Sequence, residues 1–353
     1  MQYQAALSYV GVMLAQIVLM ILSKKVGIKK SYLAGVIAGS MFFLLLTQIK
    51  DYRYFMFVLL LSKCGFALAY VCPVIVMKKM NFSPKVFTSN YGMLVGGFTL
   101  GTMFSPTISA WVADLYSWQH MIYGLCLLSI VLCGCLWVYV PTFDKEQKQN
   151  LYFMHQRQLL TTKVFGSLIM LFSSASNYLV AINYGLSLLL YQHYKIELTT
   201  AALLVLLPNI VVVISSFSVR YWNRYFNPDD YLSFAAYTSV LVTLVLLLMG
   251  FMGFDHPALV VIACCCYGAV RGFSQPNIVS VAVNRLDFDS EIIMPSLVMW
   301  SAIPTIMMSL FIASLPDNFI GFTSAFIVLA CVHILGLLFY RSEMQTASVD
   351  QAG

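Results

Sequence analysis

Charge is what this chain has least of. Asp, Glu, Lys and Arg make up 10% of its 353 residues, against 60% hydrophobic residues; a soluble domain carries about 25% charge. The shortage excludes a water-solvated globule, because too little polar surface exists to cover the apolar remainder, and lipid has to solvate most of it. It also removes nucleic acid as a reading of the net charge of +6, since that partner needs a continuous basic face on a soluble fold. Acid is rarer still inside the apolar stretches: all fourteen Asp and Glu fall in loops, tails or span ends. The nine cysteines form no Cys-x-x-Cys pair, and no histidine accompanies them at ligand spacing. Neither a disulfide framework nor a metal site is indicated, and cysteine inside an apolar stretch behaves as a small hydrophobe. No cofactor is implied. No nucleophile–base pair or phosphate-cradling glycine loop occurs at a useful spacing, which argues against an enzyme. The first residues, Met-Gln-Tyr-Gln-Ala-Ala-Leu, lack the basic leader of a secretory signal peptide, so the first apolar stretch is expected to stay as a membrane helix.

What the chain does have is long apolar runs. A spanning helix needs about 20 such residues, and eleven segments qualify: 5–23, 31–49, 54–77, 87–112, 119–140, 162–190, 199–219, 231–252, 257–284, 292–314 and 318–340. Fifteen of the twenty Lys and Arg fall on one set of alternating loops, beginning with Lys24, Lys25, Lys29 and Lys30. The opposite set holds Lys50, Arg53 and Lys195. Basic loops stay in the cytoplasm during insertion, so the expectation is an outside N-terminus, a cytoplasmic C-terminus and the inner (plasma) membrane. The polar interruption at 141–161 divides the chain into a five-span bundle (1–140), a cytoplasmic linker (141–161), a six-span bundle (162–340) and a cytoplasmic tail (341–353). Two six-helix halves, the first lacking its first helix, give this arrangement. An internal echo supports it: Gly65 precedes Pro73 by eight residues in the third span, as Gly268 precedes Pro276 in the ninth.

The most specific stretch is 97–122. Gly97, Gly101, Ser105, Ser109 and Ala113 recur every four residues, a ridge of small side chains that lets membrane helices approach closely, with Pro106 expected to bend the helix. The run Gly101, Ser105, Pro106, Ser109, Ala110 and Trp111, with Asp114 beyond it, resembles the fifth-helix signature of drug:proton antiporters of the major facilitator superfamily; Ser105, Ser109 and Ala110 stand where the signature has glycine. The segment 22–30 resembles that family's loop between helices two and three through Leu22, Lys25, Gly27, Lys29 and Lys30, with Lys24 in place of the usual Asp. The resemblance implies an all-α polytopic major facilitator fold, alternating access between two bundles, and export of drugs or small organic compounds by proton exchange. It gives 97–114 a role in packing and leak control, and 22–30 a role in a cytoplasmic gate. Small organic molecules, protons and the bilayer are the implied partners, and a periplasmic adaptor protein is a further candidate. Exporters of this kind relay protons through a buried acid, often in the first helix; this chain offers none, leaving open export of anionic metabolites without such a carboxylate, or a truncated remnant that transports nothing.

Two cations, Lys63 and Arg271, lie deep in predicted spans. A charge at the bilayer centre costs about 2.5–3.5 kcal/mol or more, so each is a candidate cavity residue; the alternative is pairing with backbone carbonyls or a polar neighbour. Gln275 and Asn277 flank the Pro276 kink just beyond Arg271. Along 162–190, Ser173, Asn177 and Tyr184, with Ser176 and Asn183, form a polar stripe that either joins helices or binds substrate. His120, His193, His256 and His333 fall near predicted span ends, where they are poor proton carriers.

Overall fold

The computed structural model describes residues 2–139, 141, 152–253, 256–286, 288–316 and 318–350; the side chains of 2–8, 105–114, 136, 139, 152–155, 184, 198, 313 and 346–350 lie outside the description. Among the described residues the chain is helical and has no strand. The elements are α1 (Gln2–Val26), α2 (Ile28–Leu45), α3 (Tyr52–Lys79), α4 (Pro84–Leu115), α5 (Trp118–Tyr139), α6 (Tyr152–Thr161), α7 (Lys163–Val180), α8 (Leu198–Trp222), α9 (Pro228–Phe251), α10 (Pro257–Arg285), α11 (Ser290–Ser314) and α12 (Phe319–Asp350). All but α6 correspond to the expected spans, and ten of them are long and apolar enough to cross a bilayer. The eleventh, α4, is a 32-residue helix.

Local chemistry sets the breaks. Gly27 takes φ +86°, a left-handed conformation that separates α1 from α2. The Asp51 carboxylate accepts from the Arg53 and Tyr54 amides at 2.8 and 3.4 Å and starts α3. Asn227 and Asp230 form a reciprocal capping box at α9, with Pro228 in the first turn.

In the first half α2 lies along α3 and α5, and α1 crosses α3. The α2–α3 crossing is tight because it is made of glycine: a Cβ on Gly65 would strike the backbone of Gly39, and one on Gly35 would meet the Gly65 oxygen at 2.8 Å. In the second half α7 is the hub, touching α10, α11 and α12, while α10 packs on α8 and α9. No described helix of the first half takes the equivalent place against α3, α4 and α5. The halves meet through α1 on α11 and through α4 on α8 and α10. One apolar core joins both halves and includes Leu19, Val71, Tyr91, Leu168, Ile278 and Leu297; a second lies within α7–α12 around Tyr178, Tyr267 and Phe326.

Four expectations need correction. The polar interruption, expected as a loop, is the helix α6 over its described part 152–161; residues 142–151 lie outside the described ones. The helix expected over 162–190 changes winding after Val180, with π-helical turns at Ala181–Leu186 and Leu189–His193. The internal echo does not extend to packing: Gly65 faces α2, whereas Gly268 faces the Pro208 carbonyl of α8 at 2.5 Å. His333 sits in the middle of α12, fully buried, not near its end.

Candidate binding site between the halves

Arg271 lies midway along the 29-residue α10 and is 4% exposed. Its Nε and Nη1 find no hydrogen-bond partner among the described residues. The side chains within electrostatic reach are Tyr70 of α3, Tyr9 of α1 and Tyr91 of α4, so one cation from the second half faces three phenols from the first. Gln275, one turn along α10 and equally buried, stands beside Tyr91, and its Oε1 and the Tyr91 hydroxyl are also without a hydrogen bond of ordinary geometry. Tyr70 rests on Phe98 of α4, ring centroids 5.4 Å apart. Desolvated donors left without acceptors are costly. No described carboxylate lies mid-span to neutralise the guanidinium; Asp51, Asp229, Asp230, Asp289 and Glu291 all sit at helix starts. The arrangement can take an anion: a carboxylate, sulfonate or phosphate would satisfy Arg271, with phenol and amide groups as further donors.

Lys63 is exposed on α3. It is seven residues from Tyr70 on the same helix, which returns it to the same face about 10 Å away along the axis. Arg271 and Gln275 thus share a site with Tyr70 and Tyr91, and Lys63 stands on the Tyr70 face of α3. Asn277 does not join them: it lies on another face of α10, its amide donating to the Phe273 carbonyl at 2.7 Å. The polar stripe of α7 joins helices. Ser309 of α11 donates to Asn177 at 3.3 Å, and Asn209 of α8 donates to Asn183 at 2.8 Å. Tyr184's side chain lies outside the described ones.

The lysine-rich end is closed by contacts between the halves. Lys79 pairs with Glu291 of α11. Lys78 donates to Asn284 of α10 at 2.9 Å, the hydroxyls of Thr88 of α4 and Ser280 of α10 are hydrogen-bonded at 2.6 Å, and Gln156 of α6 donates to Ser296 of α11 at 3.3 Å. The close approaches of α4 to α8 occur in the same region, where Cβ atoms on Gly92 and Gly96 would meet the Ser216 oxygen at 2.6 Å and the Phe217 ring at 2.9 Å.

This alters the reading of both sequence motifs. The described face of α4 that packs is Gly92/Gly96; a Cβ on Gly97 or Gly101 would meet no described atom within 4 Å, because a one-residue shift turns a helix by 100°. Side chains of Ser105, Pro106, Ser109, Ala110 and Asp114 lie outside the described ones. In the 22–30 segment, Lys29 sits over the Trp137 ring of α5 at 4.6 Å, within its own half, and Lys25 is exposed. The described bridges between halves come from Lys78 and Lys79 instead. Sequence reasoning passed over these two as topology charges, and passed over Tyr9, Tyr70 and Tyr91 because 21 tyrosines give no contrast. Buried Arg271 was the one signal that pointed to them.

A model of the Major Facilitator Superfamily matches residues 1–290. Similar solved structures include the human organic anion transporter MFSD10 (TETRAN), at 12% identity and TM-score 0.72, over 96% of this chain and 83% of that one. The E. coli fucose:proton symporter FucP is 14% identical with TM-score 0.71, over 96% and 90%. The proton:xylose symporter XylE is 12% identical with TM-score 0.75, over 97% and 85%. No curated protein sequence matches.

Proposed function

The chain belongs to the Major Facilitator Superfamily and is a multi-pass membrane transporter; from that premise we propose that it exports small organic anions by alternating access with proton exchange. Arg271 carries the reading. A guanidinium desolvated at mid-span, with no described carboxylate beside it and bordered by the Tyr91 phenol and the Gln275 amide, is a site whose ligand brings the missing negative charge. A cationic drug would meet repulsion there. The structural likeness to a transporter named for organic anions is in keeping with this. Export and proton exchange rest on the resemblance of 22–30 and 97–114 to drug:proton antiporters. In this reading the lysine-rich end is cytoplasmic, the protein lies in the inner membrane, and the Lys79–Glu291 and Lys78–Asn284 contacts close its cytoplasmic side. Lys63 then stands in the outward-facing part of the path. A periplasmic adaptor is the candidate partner for passing substrate onward.

The test is carboxyfluorescein transport in proteoliposomes under an imposed pH gradient. Wild type moves the dye and leaves ethidium. Arg271→Ala loses about a hundredfold in rate, as expected for about 2–3 kcal/mol from a buried charged pair. Equal rates in both would remove Arg271 from the mechanism, and movement of ethidium alone would reverse the sign of the substrate.

A further inference from the structure

The second half contains a buried ionisable group that the anion site does not use. His333 of α12 is 0% exposed. Its Nδ1 lies 3.2 Å from the Ser174 hydroxyl of α7, and that hydroxyl is 3.1 Å from the Leu329 carbonyl. A carbonyl only accepts, so Ser174 gives its single proton to Leu329 and accepts from Nδ1–H. The imidazole is thereby held as the Nδ1–H tautomer. Nε2 keeps a bare lone pair, and no donor faces it among the described residues.

The polar path continues outward. The Tyr178 ring is 6.2 Å from the His333 ring, and its hydroxyl lies beside Ser174 and Ser239. Tyr178 stacks on Tyr267 of α10 at 5.0 Å. The Tyr267 hydroxyl hydrogen-bonds with Thr243 of α9 and donates to the Ser239 carbonyl at 3.3 Å. By helix position Thr243 is eight residues from the end of α9 opposite the lysine-rich end, and His333 fourteen from that end of α12. Hydroxyls therefore lead from the middle of the membrane towards the outer face. Tyr178 of α7 is the ionisable side chain whose ring lies beside His333; beyond it, Tyr178 is neighboured by Cys331 of α12 and by Tyr267 of α10, which in turn has Cys264 and Cys266 near it. From α9 come only the Ser239 and Thr243 hydroxyls. α11 and the π-helical turns also pack on α12, and the second of these turns ends at His193. Arg271 lies one turn along α10 from Tyr267 and Arg341 about two turns along α12 from His333, and the described carboxylates of α9 and α12 (Asp229, Asp230, Glu343) lie at the opposite end.

We propose that His333 is the group that takes up the transported proton, at Nε2, and that taking it up forces α12 and α7 apart. This rests on the proton-coupled reading above. In the packing described, a proton on Nε2 creates a buried cation with a donor that has no acceptor, which is costly. The conformer drawn here therefore holds the neutral imidazole, and the protonated one requires α12 to shift against α7 until an acceptor or water reaches Nε2. That shift has a lever. Asn177, three residues beyond Ser174, is tied to Ser309 of α11, and α11 packs across the halves on α1. The π-helical turns that follow Tyr178 are a winding that recurs at functional sites. The proton enters from the outer side, resides on Nε2, and leaves to the cytoplasm when the halves have rocked.

The test needs no substrate. Spin labels at Asn81→Cys and Arg224→Cys, in a background without the native cysteines, report the spacing of the halves at the lysine-rich end in nanodiscs. Wild type should change spacing between pH 8 and pH 5. His333→Gln should hold one spacing throughout. Ser174→Ala keeps the imidazole and should still switch, with a displaced midpoint, which guards against a glutamine variant that merely misfolds. In proteoliposomes His333→Gln should lose most of the about tenfold acceleration of carboxyfluorescein movement that a pH gradient provides. A His333→Gln protein that switches with the wild-type midpoint, or a wild-type spacing independent of pH, would overturn the proposal. Loss of carboxyfluorescein movement by the wild type with the pH switch intact would instead strike the substrate reading.

Discussion

The two halves of this molecule hold themselves together differently. The second is organised around α7, and 67% of an 18-residue window within its spanning stretch 163–183 is buried. Among the described residues the first has no such hub: in its last helix, 17% of the stretch 118–135 is buried. What the first half has instead is a backbone-close seam, Gly35 and Gly39 against Gly65, with Ser62 donating to the Gly39 carbonyl at 3.0 Å. In lipid, apolar area between helices drives little, and close packing with interhelical hydrogen bonds does the holding. A sparse bundle therefore depends on a few contacts, and a dense one spreads the load over many. The site lies where the two meet: the second half supplies the cation and the first the phenols.

Substitution at the seams is the strongest way to break the comparison. Gly65→Leu forces side-chain atoms into the α2 backbone, and Gly272→Leu does the same at Val212 and Ser215 of α8. Overpacking costs about 1–3 kcal/mol. Gly65→Leu should cause the larger fall in melting temperature of the detergent-solubilised protein, because fewer contacts back it, while Gly97→Leu should leave it unchanged. Equal losses at both seams would mean that the first half is not the weaker.

A smaller effect is expected at the closed end. Lys79 and Glu291 are partly buried, with side chains 18% and 13% exposed, so the pair should contribute more than the 0–1 kcal/mol of a surface bridge. Glu291→Gln should raise labelling of native Cys72, buried two turns inside Lys79, by a membrane-impermeant maleimide from the cytoplasmic side several-fold. Unchanged labelling would show that the apolar contacts of α1 with α11 and α4 with α8 close this end unaided. The smallest effect is the Asn183–Asn209 coupling. A double-mutant cycle to alanine should give about 0.6 kcal/mol, the usual value for a hydrogen bond between membrane helices. A value near zero would leave the stripe free for substrate.

Helix number, lengths and the two-bundle arrangement were legible in the chain because apolar run length and loop charge are one-dimensional quantities. Arg271 was legible for the same reason: a charge inside an apolar run stands out wherever it points. Facing is a different kind of information. The ridge at Gly97 and Gly101 and the packing face at Gly92 and Gly96 differ by one residue in register, and small residues recur on both. Tyr70 and Tyr91 look like any other tyrosine until α3 and α4 are set against α10. His333 was misjudged because α12 extends past the apolar run that marked its expected end, which moved the residue to mid-helix.

In the proposed transport path the faces carrying Lys63, Tyr70 and Arg271 are wet and open to the outside. The direct measurement replaces Lys63 with cysteine in a background without the native cysteines and applies a membrane-impermeant thiol reagent to each side of sealed vesicles in turn. Rapid modification from the outer side, slowed by carboxyfluorescein, is the predicted result. A cysteine there that reacts only with lipid-soluble reagents, or only from the lysine-rich side, would contradict it.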